Sequence, residues 1–488
     1  MRSFTSTSIK VLLPALVLIT SSCGWFKKAP KEDKVYEEKE KLDEIKGNRV
    51  FNPETQQYEE VKVVQGEMDT VQWKDADPAV YPPILSDSKP LGEVNEELGE
   101  VYKYFPTSEK KDRYTVGIIL PFLGQHFDVT APEIYSSSLW AVNFYGGINL
   151  ALRQLEQEGV QLNIEVFDSK ASSSTVENSI LKNPDLRDFD LLIGPYRRDN
   201  IALVAEYAKA NGISFVSPYS ASTGLSPLNK EYIQVNPTFE THCEAITKHV
   251  LKQTKPGNVI LVAKKNEADR FAIFQEARKE IMYQKDSTVF KELVVPESLT
   301  DFNEEDLKAF FELEGPISFV VPSWSDEIFV SNFLRVVDIA RIMNDEKPVT
   351  IYGMPQWMDF SKVDYDYFEK LDLHVSSASY VNQNSAEVKV FKRNFFNKYN
   401  TVPSEEAFLG YDVMLYFGRM LKEYGTKFQP FLENENKSFL ERDFHFEPII
   451  EEGSTVEEPG RIEQFENKAI FILRYENYQF KPVPNWKN

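Results

Sequence analysis

The sequence predicts an α/β protein of two lobes, each a doubly wound parallel sheet, carried behind an N-terminal tether. Three observations predict it. From Tyr114 onward short apolar runs alternate with helix-patterned segments, the alternation restarts after Pro237, and residues 24–112 show neither pattern. Strand–helix alternation implies parallel strands covered by helices on both faces. An alternation this long divides more readily into two sheets than it extends one.

The chain opens on an address. Arg2 and Lys10 bracket a polar start, and Val11 to Ile19 is an apolar run of nine residues. A bilayer span needs about 20 residues, whereas nine suit the core of a signal peptide. Thr20, Ser21 and Ser22 then lead to Cys23. This run resembles a bacterial lipoprotein signal, which implies removal of residues 1–22 and acylation of Cys23, palmitate included. The family's usual Leu three residues before the cysteine is Thr20 here. An ordinary secretory signal with an incidental cysteine is the alternative. Two or more acyl chains anchor a protein durably. Gly24, where Asp would retain a Gram-negative lipoprotein at the inner membrane, implies the outer membrane, facing the periplasm.

Residues 23–112 read as a lipidated cysteine followed by a tether. Lys27 to Lys46 mixes both charges densely, as a solvated helix or disordered segment does. Pro78, Pro82, Pro83 and Pro90 interrupt any regular element. Val61–Val64 and Thr70–Trp73 are strand-like pieces, and Trp73 could dock the tether on the domain or on a partner.

The globular unit spans 113–488. Tyr114–Leu120 is a buried strand ended by Pro121. Phe144–Gln157 has helical spacing and stops at Gly159. Leu162–Phe167 is a strand, Ser174–Leu181 a helix, Asp190–Gly194 a strand, Ile201–Asn211 a helix and Ile213–Ser217 a strand. After Pro237 come helix Glu240–Gln253, strand Asn258–Val262, helix Arg270–Met282, strand Val289–Val294 and short helix Glu304–Phe311. Strand Ile317–Val321, helix Ile328–Ile342 and strand Val349–Tyr352 follow, then helices at Ala386–Tyr399 and Tyr411–Tyr424. Phe465–Phe480 alternates apolar and polar residues as strands do.

Composition removes several function classes. Fifty-five basic against seventy-six acidic residues give a net charge of −21, which argues against nucleic acid as a partner and against a polybasic membrane face. Membrane contact is then expected through the lipid anchor only. Two cysteines, Cys23 and Cys243, build no disulfide framework, and five histidines build no His-rich metal site. No phosphate-binding Gly-rich loop, Gly-x-Ser-x-Gly elbow or His-Glu-x-x-His occurs. No catalytic residue, cofactor or metal is assigned.

Several strings, in order, resemble the type I periplasmic-binding fold: Val116–Pro121, Phe144–Ala151, Glu165–Asp168, Leu191–Pro195, Phe215–Pro218, Tyr352–Met354, Pro403–Ser404 and Gly410–Asp412. That family includes branched-chain amino acid receptors of ABC importers, and the chain is similar to Bacteroidetes substrate-binding-like lipoproteins. The resemblance implies three crossovers between lobes, near 236–239, near 373–377 and past Lys427. Lobe one would hold about 114–237 and 376–427, and lobe two about 238–375 with part of 428–488.

In open α/β sheets ligands lie beyond the C-terminal ends of strands. Ser217, Tyr219, Ser220, Ser222 and Thr223 cluster hydroxyls there, as a carboxylate site or as a Ser/Thr turn. Arg197 and Arg198 could clamp an anion or face solvent beside Asp199. Trp324 and Trp357 could stack on a ligand or pack at the lobe edge. The connection from Phe122 to about Val142 is long enough for a lid or a partner surface. The receptors' free-amino-acid clamp is largely missing: Tyr196–Arg198 replaces a Ser-rich loop, and Gln356 stands where the family has an acid. The expectation is a non-catalytic solute-binding protein or sensor for a small polar ligand, such as an amino acid, a peptide or a cell-wall fragment. The alternative is an envelope scaffold that binds an envelope protein or the cell wall.

Overall fold

A computed structural model of the chain describes residues 49–52, 57–60 and 108–484, apart from 129, 131, 132, 284, 297–300 and 452–461. The chain divides into two compact units, 1–88 and 89–488. In the first, β1 (Arg49–Asn52) and β2 (Gln57–Glu60) pair antiparallel with Arg49 opposite Glu60. Composition alone does not announce this hairpin. Cys23 and the strand-like pieces Val61–Val64 and Thr70–Trp73 lie outside the described residues.

The second unit carries two seven-stranded sheets. The chain first lays down β3 (Tyr114–Leu120), β4 (Leu162–Asp168), β5 (Leu191–Ile193), β6 (Ser214–Ser217) and β7 (Tyr232–Gln234). It then builds β8 (Val259–Lys264), β9 (Lys291–Val295), β10 (Ile317–Val320), β11 (Val349–Gly353) and β12 (Leu373–Ser377) in the second sheet. A small hairpin of β13 (Lys437–Ser438) and β14 (Asp443–Phe444) follows. β15 (Phe446–Ile450) and β16 (Ile462–Asn467) return to the first sheet, and β17 (Phe471–Glu476) and β18 (Gln479–Pro482) close the second. The orders are β15-β16-β7-β6-β5-β3-β4 and β18-β17-β12-β11-β10-β8-β9. The body of each sheet is parallel, while at the edges β15 pairs antiparallel with β16, β17 with β12 and β18 with β17. The central strands are covered on both faces, so β5 and β12 are buried along their whole length.

The covering helices are α1 (Leu139–Gln157), α2 (Arg198–Asn211), α3 (Phe239–Gln253), α4 (Phe271–Ile281), α5 (Glu327–Met343), α6 (Ala386–Tyr399) and α7 (Glu405–Tyr424). Side chains fix several starts: Thr238 accepts from Thr241 N, Asp326 from Phe329 N at 3.0 Å and Ser385 from Val388 N at 3.0 Å. α1 and α7 touch backbone to backbone. A Cβ on Gly147 would sit 1.9 Å from the Ala407 carbonyl oxygen, and one on Gly410 would sit 2.1 Å from that of Phe144.

The chain passes between lobes three times, at 235–238, 378–385 and 468–470. The resemblance implied the second passage near 373–377, but those residues are the buried strand β12, and the crossing follows it. Local differences have local causes. The stretch read as helix Ser174–Leu181 is one short turn, Ser173–Thr175, widening at Val176–Ile180. Glu304–Leu307 is a tight turn that only then becomes α-helical at Lys308–Phe311. β7 and β15 were not foreseen, because three-residue and edge strands carry too little periodicity.

Candidate functional site

The C-terminal ends of the lobe-one strands are organised by Asp168. Its carboxylate accepts from the amides of Leu123 at 3.1 Å, Gly124 at 2.8 Å and Lys170 at 2.8 Å. This holds the start of the long connection, whose described residues form short turns at Gly124–His126 and Ser136–Ser138 before α1 begins. An aromatic group stands beside it. Tyr219 lies 4.9 Å from Trp140, 5.4 Å from Phe144 and 5.7 Å from Tyr196, and Trp140 lies 4.7 Å from Tyr196.

The sequence-predicted residues do not all converge. Ser217 is buried. Ser220 accepts from the Ser222 amide at 3.1 Å, the local turn that such a stretch can form, and Thr223 is exposed. Arg197 and Arg198 are exposed, and Arg197 donates to the Ala171 carbonyl at 3.0 Å. Trp324 is half-buried, edge-on to Phe239 at 5.9 Å and His242 at 5.7 Å. Trp357 is fully buried, donates Nε1 to the Ser323 carbonyl at 2.8 Å and stacks on Phe360. It offers no face to a ligand; the packing alternative is the one realised.

Residues that sequence reasoning did not single out hold the crossovers. Asp412, buried on α7, accepts the amides of Leu440 at 3.1 Å, Glu441 at 2.8 Å and Arg442 at 3.1 Å. The Glu441 carbonyl accepts from Tyr380 N at 2.8 Å on the second crossover. Arg442 donates to Asn236 Oδ1 at 3.2 Å on the first, and Asn236 donates to the Tyr219 carbonyl at 3.2 Å. Glu466 gathers Thr238 N at 2.8 Å, Thr238 Oγ1 at 2.8 Å and Thr241 Oγ1 at 2.6 Å, with Lys468 Nζ 3.2 Å away. The hints in sequence were the string Gly410–Asp412, quoted there for the fold and not for a site, and a charged triplet, Glu441–Asp443, between Phe439 and Phe444.

Burial governs the ionisation of these groups. It pushes Glu441 up to about 8, helped by Asp412, Glu405 and Glu406 and opposed by Arg442. It pushes Asp412 up to about 7 against its three amide donors. Burial holds His242, bonded to Ser376 Oγ at 2.9 Å, down at about 3, and the Arg442 charge adds to this. It also carries the Tyr219 hydroxyl well above its usual range. Several buried polar atoms have no hydrogen-bond partner: Tyr219 Oη, Glu441 Oε2 and Arg442 Nε on the lobe-one side, and Ser323 Oγ and Gln356 Oε1 on the lobe-two side.

A cavity of about 1480 Å³ lies between α1, α6 and α7, lined by Gln154, Phe391, Tyr411 and Arg419, and reaches the second crossover at Tyr380 and the hairpin at Leu440. It is not at the strand ends, so the geometry of the fold favours the inter-lobe group as the site. Among the described residues no group of three His, Cys, Asp or Glu side chains could hold a metal ion, and no helix is long and apolar enough to cross a membrane.

No family model and no curated protein matches the chain. Solved structures do. A branched-chain amino acid ABC transporter protein from Rhodospirillum rubrum, described as putative, aligns with a TM-score of 0.54 at 13% identity, covering 76% of this chain and 100% of that one. A branched chain amino acid ABC transporter periplasmic ligand-binding protein from Burkholderia xenovorans gives 0.51 at 11%, covering 76% and 92%. Full-length LpoA from Haemophilus influenzae gives 0.49 at 13%, covering 80% and 61%. With two parallel-bodied sheets, helices on both faces and three passages between lobes, the chain has the type I periplasmic-binding fold.

Proposed function

We propose that the chain is an extracytoplasmic solute-binding protein or sensor, anchored by lipid on Cys23 in the cell envelope, that captures a small polar ligand between its lobes without chemistry. The observation that carries this reading is the set of buried, unpartnered polar atoms contributed by both lobes. Such atoms are costly when empty and suit a ligand that pairs them on arrival. Two structures of this fold named for branched-chain amino acid transport support it.

The test is thermal unfolding of the intact chain in detergent against amino acids, peptides, sugars and muropeptides. A ligand at about 100 times its Kd adds about 2.7 kcal/mol, which is a rise of a few degrees. Trp324→Ala should abolish the rise. A second reading, a scaffold for an envelope protein or cell-wall partner, is favoured by the exposed apolar rim of lobe one: Phe127 is 75% exposed, Ile134 51% and Tyr196 51%. A flat panel, with crosslinking in cells to a neighbouring protein, would favour that reading.

A further inference from the structure

The inter-lobe reading leaves the cavity of about 1480 Å³ between α1, α6 and α7 without a role. A pocket for one small molecule holds about 300–1,000 Å³, so this one has room for a longer occupant. Its lining along α6 runs from Ala386 to Lys398, about 18 Å of helix. The floor is apolar: Leu150 and Phe391 are buried, and Tyr411 and Leu440 pack on them while staying partly open.

The charges in the lining are unevenly paired. Tyr411 Oη donates to Gln154 Oε1, and Gln154 Nε2 donates to Glu158 Oε1 at 3.1 Å. Arg419 holds the same carboxylate, Nε to Oε2 at 2.9 Å and Nη2 to Oε1 at 2.6 Å, so Glu158 is occupied. The other lining carboxylates are Asp443 on the hairpin and Glu387, the latter about 16 Å along α6 from Lys398. Arg153 and Lys398 line the cavity too, and neither enters an ion pair among the described residues. Partial desolvation, and then the Arg153 cation, hold the Lys398 ammonium below its usual range. In a chain of net charge −21 such a bare cation pair is an exception. Charge complementarity therefore calls for an anionic occupant, and the open floor calls for one that also carries apolar groups.

The far wall belongs to the hinge. Tyr380 lies on the second crossover, and Phe471 follows the third with its ring 6.2 Å from that of Tyr380. A lipid tail needs an unbroken apolar surface, which Gln154, Asn394 and Asn397 interrupt here. A peptide helix lying between helices meets both kinds of lining, apolar side chains down and polar ones at the rim.

We infer that this cavity is a docking groove for an acidic amphipathic peptide helix of a partner protein. Its carboxylates meet Arg153 and Lys398, its apolar side chains cover Phe391, Tyr411 and Leu440, and its far end stiffens the second crossover at Tyr380. The groove is separate from the inter-lobe site and stands or falls without it.

The probe is a fluorescein-labelled peptide of about twelve residues, with glutamates in its first turn and leucines three and four apart behind them. The control peptide has glutamine for every glutamate. Fluorescence anisotropy with the intact chain in detergent should show saturable binding of the acidic peptide, weakened as salt rises from about 0.1 to 1 M, and much weaker binding of the control. Arg153→Glu combined with Lys398→Glu should weaken binding at least about tenfold. Lys389→Glu, exposed on α6 but outside the lining, should change it by less than about twofold. Hydrogen exchange should slow at 386–398 and at the second crossover, 378–385, when the acidic peptide is added. Equal binding of the two peptides, an equal loss in Lys389→Glu, or slowing confined to 217–223 at the strand ends overturns the proposal. So does binding of dextran sulfate, which has charge but no apolar side chains, as tightly as the peptide. Should the double charge reversal disturb the fold, hydrogen exchange decides, and unchanged exchange at 386–398 overturns it. A silent peptide sinks the groove and leaves the inter-lobe reading, which the ligand panel tests, untouched.

Discussion

The Trp357 indole is enclosed on all sides and its one donor is spent on the Ser323 carbonyl. Trp324, one strand away, keeps part of its surface, packs against the margin of the same core and meets Phe239 and His242 edge-on. Trp357→Ala should cost about 3–5 kcal/mol, as large-to-small core changes do, and Trp324→Ala about 1 kcal/mol or less. Urea unfolding checks both, and comparable losses would mean that Trp324 is structural too. At this scale the sequence was least legible. Both tryptophans follow a strand of the same sheet, and only tertiary packing separates them. Likewise Ser220 reads equally as a ligand donor and as the turn residue it is. Glu441 and Arg442 sit in a charged stretch that looks solvated until Asp412 draws their amides inward.

Among the elements, α1 and α7 form the tightest pair. Gly147 and Gly410 let the two backbones meet where no Cβ fits. Gly147→Ala must push the helices apart and should cost at least about 1–3 kcal/mol, the usual range for overpacking. A surface control such as Lys389→Ala, exposed on α6, should stay within about 0.5 kcal/mol. Equal midpoints in denaturant would show that the helices slide freely. Both glycines belong to strings that already pointed to the fold, and the long helices α3, α5 and α6 were legible because apolar residues recur over several turns. The tight turn at Glu304–Leu307 and the edge strand β15 were not, since each is too short to show a period and is fixed by its neighbours.

At the scale of the whole molecule, the apolar interior is not continuous. One cluster, around Trp357, Phe319 and Phe333, fills lobe two, while separate clusters around Phe144, Phe417, Phe215 and Phe391 fill lobe one. The lobes communicate through polar frames, chiefly Glu466 and the Arg442–Asn236 pair. Scanning calorimetry should therefore resolve two overlapping transitions, with a calorimetric enthalpy above the van't Hoff value. A ligand held between the lobes should draw them together. A single two-state transition in the empty protein would contradict the separation.

The placement of β16 bears on how the chain is made. Its Phe465 lies beside Ile233 of β7, although all of β8 to β12 is synthesised between them. The second sheet can assemble its parallel body from a contiguous stretch, with its edge strands β17 and β18 still to come, whereas the first lacks the parallel neighbour of β7 until β16 is made. Late pairing of this kind is slow, because the intervening chain must close a very large loop. Until then the β7 flank is an open edge, able to recruit a strand from another copy. During synthesis the protein is thus most exposed to mispairing just before its last segment arrives, and a premature stop there would leave both sheets without their final strands.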